Sequence, residues 1–271
     1  MIDVSKVATN IESNENGIWL SKNHNRVSYP PQGSVEIFEV ENDSLWFNHR
    51  NRLIVEAMRK YPPGGVVLDV GGGNGFVSLA IKNAGIDVAL LEPWYNGALN
   101  ARKRGVPCVI CSSLEEAGFI PHSIPAIGIF DVLEHMENDQ EILKLIKTFL
   151  LPHGRLYITV PAFEFLWSRE DIRYEHYRRY TLKLLTSRLA STGFDIEFKT
   201  YIFALLPIPV FLFRTIPTKF GFDVNTISHH VQPDNFLSQM LKKTFDMELK
   251  SIKTNRNIPF GSSCLVVAKS I

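Results

Sequence analysis

Asp69-Val70-Gly71-Gly72-Gly73-Asn74-Gly75 follows the apolar run Val66-Val67-Leu68, so a strand runs directly into a glycine turn with a carboxylate at its threshold. Residues without a Cβ let a ligand lie almost against the backbone and accept the positive φ of such turns, which is the chemistry of a nucleotide cradle. A dinucleotide turn needs glycine at its first, third and sixth positions. Counting from Gly71 gives Gly71, Gly73 and then Phe76, which weakens a nicotinamide reading. A second acid, Glu92, ends the next apolar run, Val88-Ala89-Leu90-Leu91, so two carboxylates stand at the tips of successive expected strands.

An acid two places before a G-x-G-x-G turn, with a second acid closing the next strand, resembles the class I S-adenosylmethionine-dependent methyltransferases. The resemblance implies S-adenosylmethionine as cofactor. It implies contacts from Asp69, Gly71, Gly72, Gly73, Asn74 and Gly75 around the methionine end, and from Glu92 and Pro93 at the ribose, whose two hydroxyls suit a carboxylate. Further on, Phe130-Asp131-Val132-Leu133-Glu134-His135 ends the fourth expected strand, and D-V-L-E-H is shared with many small-molecule methyltransferases, ubiquinone-pathway enzymes among them. Ligands of open parallel sheets sit beyond the carboxyl ends of the strands. This segment therefore faces the bound cofactor, and the resemblance implies Asp131 and Val132 beside the transferable methyl and Ser113 and Leu114 at the adenine wall. The chain departs from common relatives at Pro125-Ala126, where an acid often opens the strand, and at the adenine wall, which lacks its frequent aspartate.

After the fifth expected strand come Pro161-Ala162-Phe163-Glu164-Phe165-Leu166-Trp167-Ser168 and Tyr174-Glu175-His176-Tyr177-Arg178-Arg179-Tyr180-Thr181. Related methyltransferases carry a similar L-W-S followed by H-x-R-R-Y-T and place the acceptor pocket here, which implies Trp167, Tyr177 and Arg178 as acceptor contacts. Trp46, Phe47 and either Arg50 or Arg52 stand where relatives bring a lid over the cofactor. Methyl transfer is an in-line displacement in which positioning supplies most of the acceleration, and a base is needed only if the acceptor must lose a proton. His176 and His135 are the catalytic candidates, since imidazole titrates near neutral pH. Arg178 and Arg179 either grip an anionic acceptor or pair with Glu170, Asp171 or Glu175. Cys108-Val109-Ile110-Cys111 has C-x-x-C spacing, but its middle residues belong to a strand and no further ligands fall in register, so no metal is expected.

Apolar runs alternate with amphipathic stretches from Val66 onward, the pattern of an α/β, doubly wound, mostly parallel sheet. Seven strands are expected at residues 66–70, 88–91, 106–110, 126–130, 156–160, 197–203 and 264–268, and the family resemblance implies that the last two pair as an antiparallel hairpin. Helices are expected over 76–83, 96–104, 139–150 and 182–191, with one starting after Ser44. Residues 44–203 and 262–271 form the methyltransferase domain, 1–43 a loosely packed arm, and 204–261 an insertion. Within it, 205–216 is apolar but too short and proline-broken to span a bilayer. Residues 235–249 are amphipathic after the candidate cap Asp234, so the insertion is either a buried lid or a peripheral membrane or dimer surface. A net charge of +1 over 271 residues gives no field for nucleic acid. Three cysteines without a disulfide framework and a polar N-terminus point to a cytoplasmic protein. The function expected is methylation of a small-molecule acceptor, with oxygen of a saccharide or lipid-linked metabolite as the accepting atom. The alternative is a non-catalytic cofactor-binding regulator or scaffold.

Overall fold

The computed structural model describes residues 4–22, 38, 40–222 and 236–271. Two short strands, β1 (Ile11–Ser13) and β2 (Trp19–Ser21), precede the seven expected ones. Those are β3 (Val67–Val70), β4 (Val88–Leu91), β5 (Val109–Cys111), β6 (Ile124–Phe130), β7 (Leu150–Pro161), β8 (Phe194–Ile202) and β9 (Ser263–Ser270). They form one sheet in the order β1-β2-β5-β4-β3-β6-β7-β9-β8. Pairing is parallel from β2 through β7. The expected hairpin is present, β8 against β9 with Tyr201 opposite Cys264, and β9 also pairs antiparallel with β7.

Every residue of β3 and β4 is buried, as befits central parallel strands covered on both faces. Alternate side chains enter opposite cores. Leu68, Val70, Ala89, Leu91, Ile127 and Ile129 pack on one face; Val67, Val88, Ala126, Tyr157 and Leu265 pack on the other. The helix Leu45–Lys60 covers the second face through Leu53, Ile54, Ala57 and Met58, each large apolar side chain contributing about 1.5–3 kcal/mol by burial. Ser44 caps it by accepting the Phe47 N–H at 3.4 Å. Downstream, Thr181 caps the helix Leu182–Ser191 by accepting from Leu184 N at 3.1 Å, and Gly193, at φ +87°, turns the chain into β8.

Where the sequence predicts a loosely packed arm, the described residues 4–22 pack against the core. Val4, Ala8, Ile11 and Ile18 are buried, and β2 extends the parallel sheet beyond β5, Leu20 pairing with Cys111. Strands of three residues show little alternation, so among the described residues the sheet has nine strands where periodicity showed seven. Cys108 and Cys111 are buried, free thiols whose pKa burial pushes up to about 11.

The insertion divides into two unlike parts. The helix Phe236–Lys253 buries Leu241, Phe245 and Ile252 against the core, and its buried Glu248 accepts the N–H groups of Phe203 (3.0 Å) and Ala204 (2.7 Å) beside His49 Nε2 (2.9 Å). The expected cap Asp234 and Asn235 lie outside the described residues. By contrast Ile208, Leu212 and Phe213 remain exposed. No helix among the described residues is long and apolar enough to cross a membrane.

Candidate active site

Three glycines of the turn after β3 adopt positive φ: Gly71 at +68°, Gly73 at +52° and Gly75 at +76°. They do different things. A Cβ on Gly75 would lie 2.7 Å from Ala101 Cβ, so this residue gives the close approach between turn and the helix Tyr95–Lys103 that a sixth-position glycine would otherwise supply. A Cβ on Gly71 would meet Val132 at 2.8 Å, which ties the turn to the tip of β6. At Gly73 a Cβ would meet nothing within 4 Å, leaving the outer face of the turn open for a ligand.

Glu92 reaches back over this turn. Its Oε2 accepts the Gly73 N–H at 2.9 Å and its Oε1 accepts the Trp94 N–H at 3.0 Å, and each oxygen retains a lone pair for a further donor. Burial pushes its pKa up to about 7 despite those two N–H groups. Gly97 makes the arrangement fit, since a Cβ there would lie 3.0 Å from Glu92 Cγ and 3.1 Å from the Gly73 carbonyl. Sequence reasoning passed over Gly97; its signal was a glycine in the first turn of an otherwise ordinary helix.

Asp69 lies beneath the turn, 1% exposed, with Oδ2 accepting the Ser78 hydroxyl at 2.6 Å. Burial raises its pKa to about 6 against the pull of Ser78 and the Arg50 charge. The Asn74 side chain accepts from Asn100 Nδ2 at 3.0 Å. Pro93 follows Glu92, its carbonyl near the Cys111 thiol. Ser113 Oγ accepts the Glu116 N–H at 3.2 Å, while Leu114 is buried in the core.

The other end of the site gathers at the tips of β6, β7 and β8, where Asp131 (φ +56°), Phe163 (+60°) and Phe203 (+60°) are all held in the left-handed region. Non-glycine residues occupy that region at a cost of about 1–3 kcal/mol and collect at functional sites. Arg50 pairs with Asp131 Oδ2, and Thr159 donates to Oδ1 at 3.2 Å. The Arg50 guanidinium also lies 4.9 Å from the Trp46 ring and 5.2 Å from Phe47, and Trp46 stacks on Phe203 at 5.2 Å. The structure thereby chooses between the two arginines, because Arg52 lies at the surface against Asp246.

His135 and His176 meet edge to face, ring centroids 4.7 Å apart. His176 Nδ1 lies 2.9 Å from the fully buried Asp171, which is gripped bidentately by Arg179 (2.8 and 2.9 Å) and by the Ser168 N–H (2.8 Å). Burial pushes the Asp171 pKa up, but hydrogen bonds from His176 and Arg179 overcome it and hold the carboxylate at about 2. Burial, then the neighbouring His176, lowers the His135 pKa to about 4. Arg178, expected to hold an acceptor, is tied instead to Asp139 (3.1 Å) and the Glu137 carbonyl (2.6 Å). Tyr177 is exposed and Trp167 half-buried at the same loop.

The family model for a methyltransferase domain matches residues 45–197, more than half of the chain. This protein is a member of the methyltransferase-domain family. A methyltransferase of Thermotoga maritima, a possible histamine N-methyltransferase, superposes with a TM-score of 0.56 at 15% identity, over 89% of this chain and 96% of that one. Phosphoethanolamine N-methyltransferase 2 of Haemonchus contortus, in complex with phosphomonomethylethanolamine and S-adenosylhomocysteine, gives 0.56 at 16% identity over 88% of this chain and 57% of that one. A Haloferax volcanii methyltransferase in complex with the Trm112 activator gives 0.56 at 14% identity, covering 88% and 95%. At these identities the likeness is one of fold. No curated protein matches the chain in sequence. The methyltransferase is an enzyme, and S-adenosylmethionine is its cofactor. The open face at Gly73 and the unused lone pairs of Glu92 fit that group.

Proposed function

We propose that the methyltransferase transfers the methyl of S-adenosylmethionine to an oxygen of a small-molecule acceptor, a saccharide or lipid-linked metabolite, held between Trp46, Phe47, Trp167, Tyr177 and the His135–His176 pair. The observation that carries this reading is the placement of two unlike ends along one edge of the sheet. The glycine turn and Glu92 stand at β3 and β4; Asp131 with the histidine pair stands at β6 and the loop after β7. In this reading Gly71, Gly72, Gly73, the Asn74 backbone and Gly75 cradle the cofactor over Asp69, Glu92 takes the ribose hydroxyls, and Ser113 borders the adenine. Asp131 and Val132 flank the reactive methyl.

The cofactor supplies an electrophilic methyl on a sulfonium, and the chain's own residues supply position and proton acceptance. His176 is the better base of the pair. Asp171 fixes its Nδ1 side, which leaves Nε2 to receive an acceptor proton, whereas His135 has lost basicity to burial. Exposed Ile208, Leu212 and Phe213 beside Phe165 and Phe211 suit an apolar portion of the acceptor, and free, buried cysteines suit a cytoplasmic setting. The test is calorimetric titration with S-adenosylmethionine followed by an acceptor screen monitored by S-adenosylhomocysteine release. Absence of cofactor binding, or binding undiminished by Gly73→Val, would overturn the site assignment.

A further inference from the structure

Glu134 is the acid of the D-V-L-E-H stretch to which the methyl-transfer reading assigns no task. It is 1% exposed, and among the described residues its Oε2 has no hydrogen-bond partner. Buried carboxylates are paired, hydrogen-bonded or bound to a metal. The charged groups facing Glu134 are Asp131, Arg50 and Asp171. Arg50 is already bonded to Asp131, and Asp171 is answered by Arg179 and His176. One carboxylate therefore stands without a cation of its own.

Two imidazoles stand beside it. Glu134, His135 and His176 each offer a ligand atom, all within 4.8 Å of one another. A zinc-like ion about 2.1 Å from each atom draws them to about 3.4 Å apart, which modest side-chain rotation provides. The outer contacts have the form that metal-bound histidines use: Asp171 on His176 Nδ1, and a backbone hydrogen bond from His135 to Tyr174. A Tyr177 N–H donating to the Glu134 carbonyl at 2.8 Å ties the two contributing loops together.

We propose that Glu134, His135 and His176 form a site for a divalent cation of the zinc class, with an open coordination position for the acceptor's oxygen. Two histidines and a carboxylate leave such a position, and the ligand set favours zinc, cobalt or manganese over magnesium. The proposal rests on the methyl-transfer reading and changes only how the acceptor loses its proton. With the ion bound, a coordinated hydroxyl has a lowered pKa and releases its proton to water. Its oxygen then forms the new C–O bond as the methyl–sulfur bond breaks, leaving the thioether. Without the ion, His176 takes that proton directly.

The test uses the full chain and cobalt(II) as probe. The protein is freed of metal with a chelator, titrated with cobalt(II), and read by its visible d–d absorption, with thermal unfolding in zinc against chelator as a readout that needs no variant. Expected are one ion per chain, a spectrum without thiolate charge transfer, a raised Tm in zinc, loss of the bands in Glu134→Gln and His176→Gln, and ion affinity about 10- to 100-fold weaker in Asp171→Asn. No stoichiometric binding of zinc, cobalt or manganese overturns the proposal, as does a spectrum unchanged in Glu134→Gln, which would place the ion elsewhere. S-adenosylmethionine affinity is measured on the same samples. Cofactor binding without ion binding defeats the cation site alone, and ion binding without cofactor binding defeats the methyl-transfer reading alone.

Discussion

Glu92 shows how burial turns an ordinary acid into a pH-sensitive one. Glu92→Ala is expected to weaken S-adenosylmethionine binding by about 1.5–3 kcal/mol, the scale of hydrogen bonds to a charged group, in calorimetry. Its pKa stands at about 7, so wild-type affinity should fall as pH drops below 7, by about tenfold per unit, and Glu92→Gln should lose that dependence. The same raised pKa means the ligand-free folded chain holds a proton that the unfolded chain releases. Stability from Glu92 is thus full below its ordinary value of 4.5 and is lost as pH rises to about 7. Asp171 runs the opposite way. Its carboxylate, lowered from 3.8 to about 2, contributes stability above 3.8 that disappears as pH falls toward 2, worth about 2 kcal/mol. Urea midpoints of wild type and Asp171→Asn across that window check the sign; a gap between the two that did not narrow in acid would count against the ion pair.

At the scale of elements, the glycine turn divides its labour between fold and ligand. Gly73→Val puts a side chain into open space and costs about 1–2 kcal/mol of left-handed strain, so the chain should fold by circular dichroism yet lose cofactor binding. Gly75→Ala should do the reverse, lowering Tm through the contact with Ala101. The motif D-V-G-G-G-N-G identified the turn, but sequence could not say which glycine serves which purpose, because the helix Tyr95–Lys103 approaches from some twenty residues further along. The acceptor loop was likewise visible as a dense run of aromatic and basic residues. Its pairings were legible only in part: Asp171 stood among the partners open to Arg179 and is the one it braces, whereas Arg178 braces Asp139, a choice made by packing across β7 and the helices beside it.

Across the whole molecule, the helix Phe236–Lys253 is held to the sheet by Glu248. Glu248→Ala leaves the Phe203 and Ala204 N–H groups and His49 without their acceptor, and a loss of about 3 kcal/mol or more is expected in chemical denaturation, at about 1–3 kcal/mol for each buried donor left unsatisfied. Because Phe203 stacks on Trp46 and Trp46 on Arg50, the same variant should also weaken the acceptor end of the site. Cofactor at about a hundred times its Kd should stabilise the folded chain by about 2.7 kcal/mol, read as a rise in Tm.

Local chemistry was legible in this sequence wherever it is written in adjacent residues. The strands of the central sheet, the glycine turn and the acid ending β4 all follow from short-range patterns of burial and turn formation, whereas the hairpin of β8 and β9, whose strands lie far apart in the chain, was implied by the family resemblance. Contacts that depend on distant segments were not legible. The added strands β1 and β2 are too short to show alternation, Arg50 could not be told from Arg52 until Asp131 stood beside it, and Gly97 acquired its purpose from Glu92. The meeting of Glu134, His135 and His176 is of the same kind: 41 residues separate the two histidines along the chain, and only the return of the loop after β7 across the tip of β6 places their rings 4.7 Å apart.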